Sequence, residues 1–441
     1  MYIKIIIIVF LINTCRANSF FVDAIAGSDL NSGKSTNLAW KSVDKINGEI
    51  KNKSFAPGDS ILFKSGGKWL NTTLEINSLK GKHDAKIIFA SYGVGEKPIV
   101  RVNNVPTTIQ EVKNADGAAV IISKSKFLTV RNLEFRGGWA GVYIYDSAYI
   151  NIDNVTAGFD STTGLVIAGF KKIPKNIIID NCDFDNKFSF PYSYNDSLTI
   201  GNQTDDGIVA YSIKNSEIKN CIFKNWGHAS LALDGESGLK KLILNNKIHD
   251  NVMTSPDVAY GGRIAVDDAK FTEVYDNIIT NTSVETQLNG IKNNYHDNYF
   301  SGTRIPVSNE SDRAGILIQS YARKKVRRNI YNKNIIVNTE GVGIKISGNN
   351  EKNVLQNIFS ENIISNCGSK TNYIALEVEK LYDNEFGKTK KNKFINNIVF
   401  SKTNIVFNYR GKNLSAESFN SKSEIKPYKD EIKNNSLVLI H

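Results

Sequence analysis

The sequence predicts an all-β fold, a parallel β-helix solenoid closed at its N-terminal end by a helical cap. Three observations predict it. Asn recurs before short apolar runs, as in RNLEFRGG, DNVTAGF, NCDFDN, NCIFKN, NNKIHDN, DNIITN, DNYFSG, KNIIVN, ENIISN and NNIVFS. Taking Asn132, Asn154, Asn181, Asn220, Asn246, Asn277, Asn298, Asn334, Asn362 and Asn397 as anchors, the spacing has a floor of 21 or 22 residues with irregular excess, as coils with loops of variable length would give. Each run alternates residue by residue over a few positions, which is strand periodicity and too short for helices.

A recurring Asn has a physical use in such a stack. Side-chain amides in register hydrogen-bond from coil to coil, and Asn tolerates the left-handed backbone of a sharp corner. Cys182 and Cys221 fall at one repeat position and are expected as a stacked apolar pair. With Cys367 they leave an odd number after the leader and no CxxC spacing, against a disulfide framework or a zinc site.

In chain order, residues 1–17 read as a signal peptide: Lys4, an apolar stretch Ile5 to Ile12, and small residues Cys15 and Ala17 ahead of a cut before Asn18. The stretch is far short of the roughly 20 residues that span a bilayer, so a secreted, periplasmic or cell-surface protein is expected, with no integral membrane segment. Residues 18–118 form the cap and first coils: an initial strand, a Gly/Asn/Ser loop, then a helix with Trp40, Val43, Ile46 and Ile50 near one face. A helix there shields the open end of the stack. Residues 119–409 carry the repeat, and 410–441 read as a C-terminal cap or tail.

The 441-residue chain carries net charge +11, falling by two to +9 once Lys4 and Arg16 leave with the leader. An exported basic protein points to an acidic polysaccharide as partner rather than nucleic acid. A monomer is expected. No Walker loop, dinucleotide fingerprint, HExxH or GxSxG element is present, which excludes nucleotide-dependent and serine-hydrolase chemistry of those kinds.

The stretches VDAIAGSDLNSGKS, AWKSVDKIN and PGDSILFKSGGKW resemble the opening of exported right-handed parallel β-helix proteins of the pectate-lyase-like superfamily, and the Asn-anchored coils extend the likeness over nearly the whole mature chain. The resemblance implies fold, while the superfamily holds lyases, hydrolases, epimerases and binding coils, so activity must come from a site.

If Leu231 and Leu233 point inward, then His228, Ser230, Ala232 and Asp234 point outward. Aligning Ile208 and Ala210, and Ile264 and Val266, places Asp205 beside His228, Ser230 beside Arg263, and Asp234 between Tyr211 and Asp267. Asp205, Asp206, His228 and Arg263 are the candidate catalytic residues; Tyr211, Trp226, Tyr260, Asp234 and Asp267 are assigned to substrate contact, with core or corner packing as the competing reading of Trp226. The insertions KFSFPYSYNDSLTIGNQTD and GTRIPVSNESDRAG bracket this patch, and Phe188, Phe190, Tyr192 and Tyr194 either stack on sugars or pack against the coils. The basic run YARKKVRRN, 321–329, either extends the groove or is a solvated strand end.

Two reactions fit. Inverting hydrolysis needs one protonated and one ionised carboxyl, offered by Asp183, Asp205 and Asp206. Asp205-Asp206, Gly227-His228 and Arg263-Ile264 resemble, in order, the motifs of polygalacturonases. That likeness implies Asp205 as proton donor, Asp206 and Asp183 activating water, and His228 and Arg263 holding the acid and a substrate carboxylate. Cys182, Ala229 and Ala265 depart from that pattern. β-Elimination needs a neutralised uronate and a base, with Arg263 or a metal for the first and His228, Tyr211 or Tyr260 for the second. Ca²⁺ is the metal that Asp234 and Asp267, with Glu236 or Asp268, would hold, although a polar corner without metal fits the same residues. A non-catalytic glycan-binding coil is the alternative to both.

Overall fold

The computed structural model describes residues 17–190, 205–235, 242–255, 261–282, 286–304, 314–319, 325–347, 354–369, 371–379, 391–409, 411–415, 423–425 and 430–439. Each middle coil gives one short strand to each of three parallel sheets, which contain 13, 17 and 13 described strands. One coil runs Asp206–Ala210, Glu217–Lys219, Ile222–Lys224; the next runs Ala229–Leu233, Lys247–His249, Val252–Thr254. Their partners lie in register: Ile208 beside Leu231, Ile218 beside Ile248, Phe223 beside Met253. Strand alternation turns these side chains into one continuous apolar core.

The two uses of Asn belong to different residues. Asn132, Asn154, Asn181 and Asn220 sit at corners with φ between 50° and 54°. The interior ladder is a separate column, in which the Nδ2 of Asn251, Asn277, Asn298, Asn334, Asn362 and Asn397 each donates to the Oδ1 of the next, ending at Asn435, over 2.8–3.1 Å. Asn246 lies on a parallel column that continues through Asn293, Asn329, Asn357 and Asn392. Cys221 occupies the ladder position one coil before Asn251, its N–H donating to the Asn251 Oδ1 at 3.0 Å, and both Cys182 and Cys221 are buried. Beside these ladders, Tyr295, Tyr331, Phe359 and Phe394 stack with centroids 4.7–5.0 Å apart.

At the N-terminal end, α1 (Val43–Lys51) starts where the Ser42 side chain accepts from the Lys45 N–H at 3.0 Å. It buries Val43, Ile46 and Ile50. Asn47 bonds to Thr73 and Glu75 and so joins the helix to the first strand of one sheet, Leu74–Asn77. Trp40 precedes the helix and is bridged to Val22 instead. A second, short helix, α2 (Ile109–Lys113), lies in a loop. Strands also follow residue 409: Asp430–Lys433 and Ser436–Leu439 add parallel to Lys393–Ile395 and Ile398–Ser401, while Lys412–Ser415 folds back antiparallel on Ile405–Tyr409. No helix among the described residues is long and apolar enough to cross a membrane.

Candidate functional site

The inward pairs Ile208 and Ala210, Leu231 and Leu233, and Ile264 and Val266 all join the core. Between them, Val209, Ala232 and Ala265 form an outward column in register. Asp205 and His228 stand just ahead of their strands, and the His228 N–H donates to the Asp205 carbonyl at 3.0 Å. The imidazole, however, turns to the neighbouring carboxylate: His228 Nδ1 lies 2.8 Å from Asp206 Oδ1. Strict alternation does not reach these two residues because they precede the paired segments.

Arg263 completes the row. The ladder between Ala229–Leu233 and Arg263–Val266 is bulged: Ala229 pairs with Arg263 and Leu231 with Ile264, leaving Ser230 extra. The expected Ser230 and Arg263 neighbours are therefore separated, and Ser230 is fully buried with its hydroxyl donating to the Gly262 carbonyl. The bulge brings the Arg263 guanidinium to His228, Nη2 to Nε2 at 2.8 Å. Guanidinium nitrogens only donate, so Nε2 accepts and the ring proton sits on Nδ1, donating to Asp206. Asp206 is buried, whereas 52% of the His228 side chain is exposed. The Asp205 carboxyl is held above its ordinary range, first by removal from water and then by the nearby Asp206 charge, against an opposing pull from His228.

Other expected site residues lie elsewhere. Asp183 opens the strand Asp183–Asp185 in a different sheet, paired with Thr156 and Ile222, so it is not beside Asp205. In the coil before Asp205, the matching positions are Thr162 and Thr163. Trp226 is 0% exposed in the core and donates its indole N–H to the Phe184 carbonyl at 2.9 Å, which removes it from the surface a substrate would touch. Gly207 makes room for it, since a Cβ there would come within 2.9 Å of the indole nitrogen. Phe188 and Phe190 pack on each other and on Val112 and Ile109 of α2, which favours loop packing over sugar stacking.

Tyr211, Asp234 and Asp267 follow Ala210, Leu233 and Val266 as expected from the register. Asp267 accepts from Asn289 Nδ2 at 2.8 Å. Among the described residues, no group of three or more His, Cys, Asp and Glu is placed to hold a metal ion. Tyr260, Tyr192, Tyr194 and Glu236 lie outside the described residues. Of the basic run, Val326–Arg327 pairs with Val354–Leu355 rather than with the sheet bearing Arg263.

Sequence reasoning overlooked a set of aromatics on the outward positions of earlier coils: Trp139, Tyr143, Tyr145 and Phe170 are at least partly exposed and in ring contact with one another. The signal was present in GVYIYDS, whose alternation puts both tyrosines on one face.

Residues 117–271 and 195–359, together more than half of the chain, match the family described as "Right handed beta helix region". A lacto-N-biosidase of Bifidobacterium longum subsp. longum is 27% identical over 191 residues, covering 38% of this chain and only 12% of that protein. Among solved structures, a lacto-N-biosidase from Eubacterium ramulus superposes with a TM-score of 0.52 at 14% identity, covering 96% of this chain and 68% of that one. A mannuronic acid specific polysaccharide family 6 lyase from human gut microbiota superposes with a TM-score of 0.58 at 13% identity, covering 91% and 90%. At such identities the structures share the fold.

Proposed function

The chain belongs to the right-handed β-helix family, and on that premise we propose that it is an exported enzyme that hydrolyses a glycosidic bond in a uronate-containing glycan. The observation that carries the reading is the row Asp206, His228, Arg263 beside a carboxyl, Asp205, whose pKa is raised from its ordinary value by burial and by the Asp206 charge. Asp205 gives its proton to the departing glycosidic oxygen as the carbon–oxygen bond breaks. Water forms the new bond to that carbon and passes a proton to Asp206. His228 holds Asp206 in place through its Nδ1–H, and the Arg263 guanidinium behind the ring supplies the balancing positive charge. The relative called a lacto-N-biosidase supports a glycosidase reading; the net charge, +11 for the whole chain and +9 once Lys4 and Arg16 leave with the leader, supports an acidic substrate. Elimination with His228 as base is disfavoured, because both ring nitrogens are engaged.

Incubation with uronate polymers and with lacto-N-biose-containing oligosaccharides, following reducing ends and unsaturated-product absorbance separately, tests the reaction. New reducing ends without absorbance gain are expected. Absorbance gain would overturn hydrolysis in favour of elimination, and binding without either signal would leave a non-catalytic module.

Export has its own support. The Asn18 N–H donates at 2.7 Å to Asp59, a carboxylate 1% exposed that has no cationic partner among the described residues. Cleavage after Ala17 turns that amide into an ammonium group already placed on a buried carboxylate. N-terminal sequencing of protein recovered from outside the cell is expected to begin at Asn18; retention of residues 1–17 would contradict it.

A further inference from the structure

The outward face that carries Asp205 and His228 continues N-terminally into the aromatic row. Trp139 meets Tyr143 edge-on with centroids 5.5 Å apart, Tyr143 meets Tyr145 at 5.2 Å, and Tyr145 meets Phe170 at 5.6 Å. Register ties the row to the candidate site. Ala140 pairs with Thr163, so Trp139 stands in the column of Thr162, whose carbonyl accepts the Asp205 N–H. Trp139 is thus two coils from Asp205, about 10 Å at roughly 4.8 Å per coil.

Phe170 is held by a built turn. The buried Asp146 carboxylate oxygen accepts the backbone N–H groups of Phe170, Lys171 and Lys172 at 2.8, 2.9 and 2.9 Å. The turn presents a phenyl ring that is 50% exposed, with two exposed lysines following it. An exposed apolar ring on a hydrogen-bonded turn, at the end of the aromatic row away from Trp139, suits a ligand with apolar faces and a polar rim.

We infer that Trp139, Tyr143, Tyr145 and Phe170 form a platform for the pyranose rings of the glycan on one side of the scissile bond. The C–H groups on a sugar face carry slight positive charge and pack on the negative face of an aromatic ring. Lys171 and Lys172 add positive charge for a uronate. The inference rests on the hydrolase reading for its substrate, but its test has a separate readout.

Of the four tryptophans, Trp40, Trp69 and Trp226 are buried, so quenching of Trp fluorescence by acrylamide reports chiefly on Trp139. Oligogalacturonates, oligomannuronates and lacto-N-biose-containing oligosaccharides would be titrated into the intact protein and into the Asp205→Asn, Trp139→Phe and Phe170→Ala variants. The expected result is protection of Trp139 by the glycan that binds, loss of the protected signal in Trp139→Phe, and affinity weakened about five- to tenfold in Phe170→Ala. In turnover, Phe170→Ala should raise KM and leave kcat within about a factor of two, consistent with loss of uniform binding. A glycan cleaved equally by Phe170→Ala, with no protection of Trp139, overturns the platform and leaves the hydrolase reading standing. Full cleavage by Asp205→Asn with weakened binding by Phe170→Ala does the reverse. Failure of every glycan to bind overturns both.

Discussion

His228 and Asp206, 22 residues apart in the chain, are joined by a 2.8 Å contact across adjacent coils. The contact satisfies a carboxylate that is largely buried. His228→Ala removes its imidazole partner and leaves Arg263 without the ring acceptor. Because half of the imidazole is in water, the stability loss should be modest, about 1–2 kcal/mol, measured by urea denaturation. His228→Gln, which keeps a side-chain donor, should recover part of it. Activity should fall far more than stability in both variants.

Asp205 governs the pH response. Its folded-state carboxyl lies above its ordinary value, so the native state holds this proton more tightly than the unfolded chain does. Its stability contribution is complete below the unfolded value near 3.8 and is lost as pH rises through the folded value. Asp205→Asn should therefore remove a decline in stability across that window. With Asp205 as the proton donor, wild-type kcat/KM should fall as pH rises through its folded value, and the residual activity of Asp205→Asn should lack that fall. Melting temperature against pH, in wild type and variant, checks the first statement.

Adjacent asparagines separate the two uses of that residue. Asn396 is an exposed corner at φ 55°, a conformation glycine adopts freely, so Asn396→Gly should change stability by less than about 0.5 kcal/mol. Asn397 is buried, accepts from Asn362 and donates to Phe359 and Asn435. Asn397→Ala strands several of those groups and should cost about 3 kcal/mol. Equal effects in denaturation would contradict the ladder.

Trp226→Ala should act on the fold. Deleting a fully buried indole is expected to cost about 3–5 kcal/mol, with the carbonyl of Phe184 losing its donor as well. Glycan affinity of the folded fraction should be unchanged; selective loss of binding at unchanged stability would place the indole at the surface.

Much of the fold was legible because it rests on period alone. Leu231 and Leu233 reveal the inward face by alternation, and repetition repeats the message in every coil. The sites were less legible where a single residue breaks the period. The bulge at Ser230 moves Arg263 from Ser230 to His228, and nothing in the local sequence marks it. Asp183 matched a motif in spacing but belongs to another sheet, since similar corners recur within each coil. The anchors from Asn132 to Asn397 merged corner and ladder residues for the same reason: Asn suits both. Trp226 beside His228 was ambiguous because burial depends on glycines supplied by other coils, Gly207 among them.

The most direct measurement is the turnover rate of Asp205→Asn on the glycan that the wild-type protein cleaves, with folding verified by circular dichroism. Loss of general-acid catalysis should lower kcat by about 10²- to 10⁴-fold with KM little changed. A variant that turns over within a factor of about two of wild type would contradict the assignment of Asp205 as the proton donor.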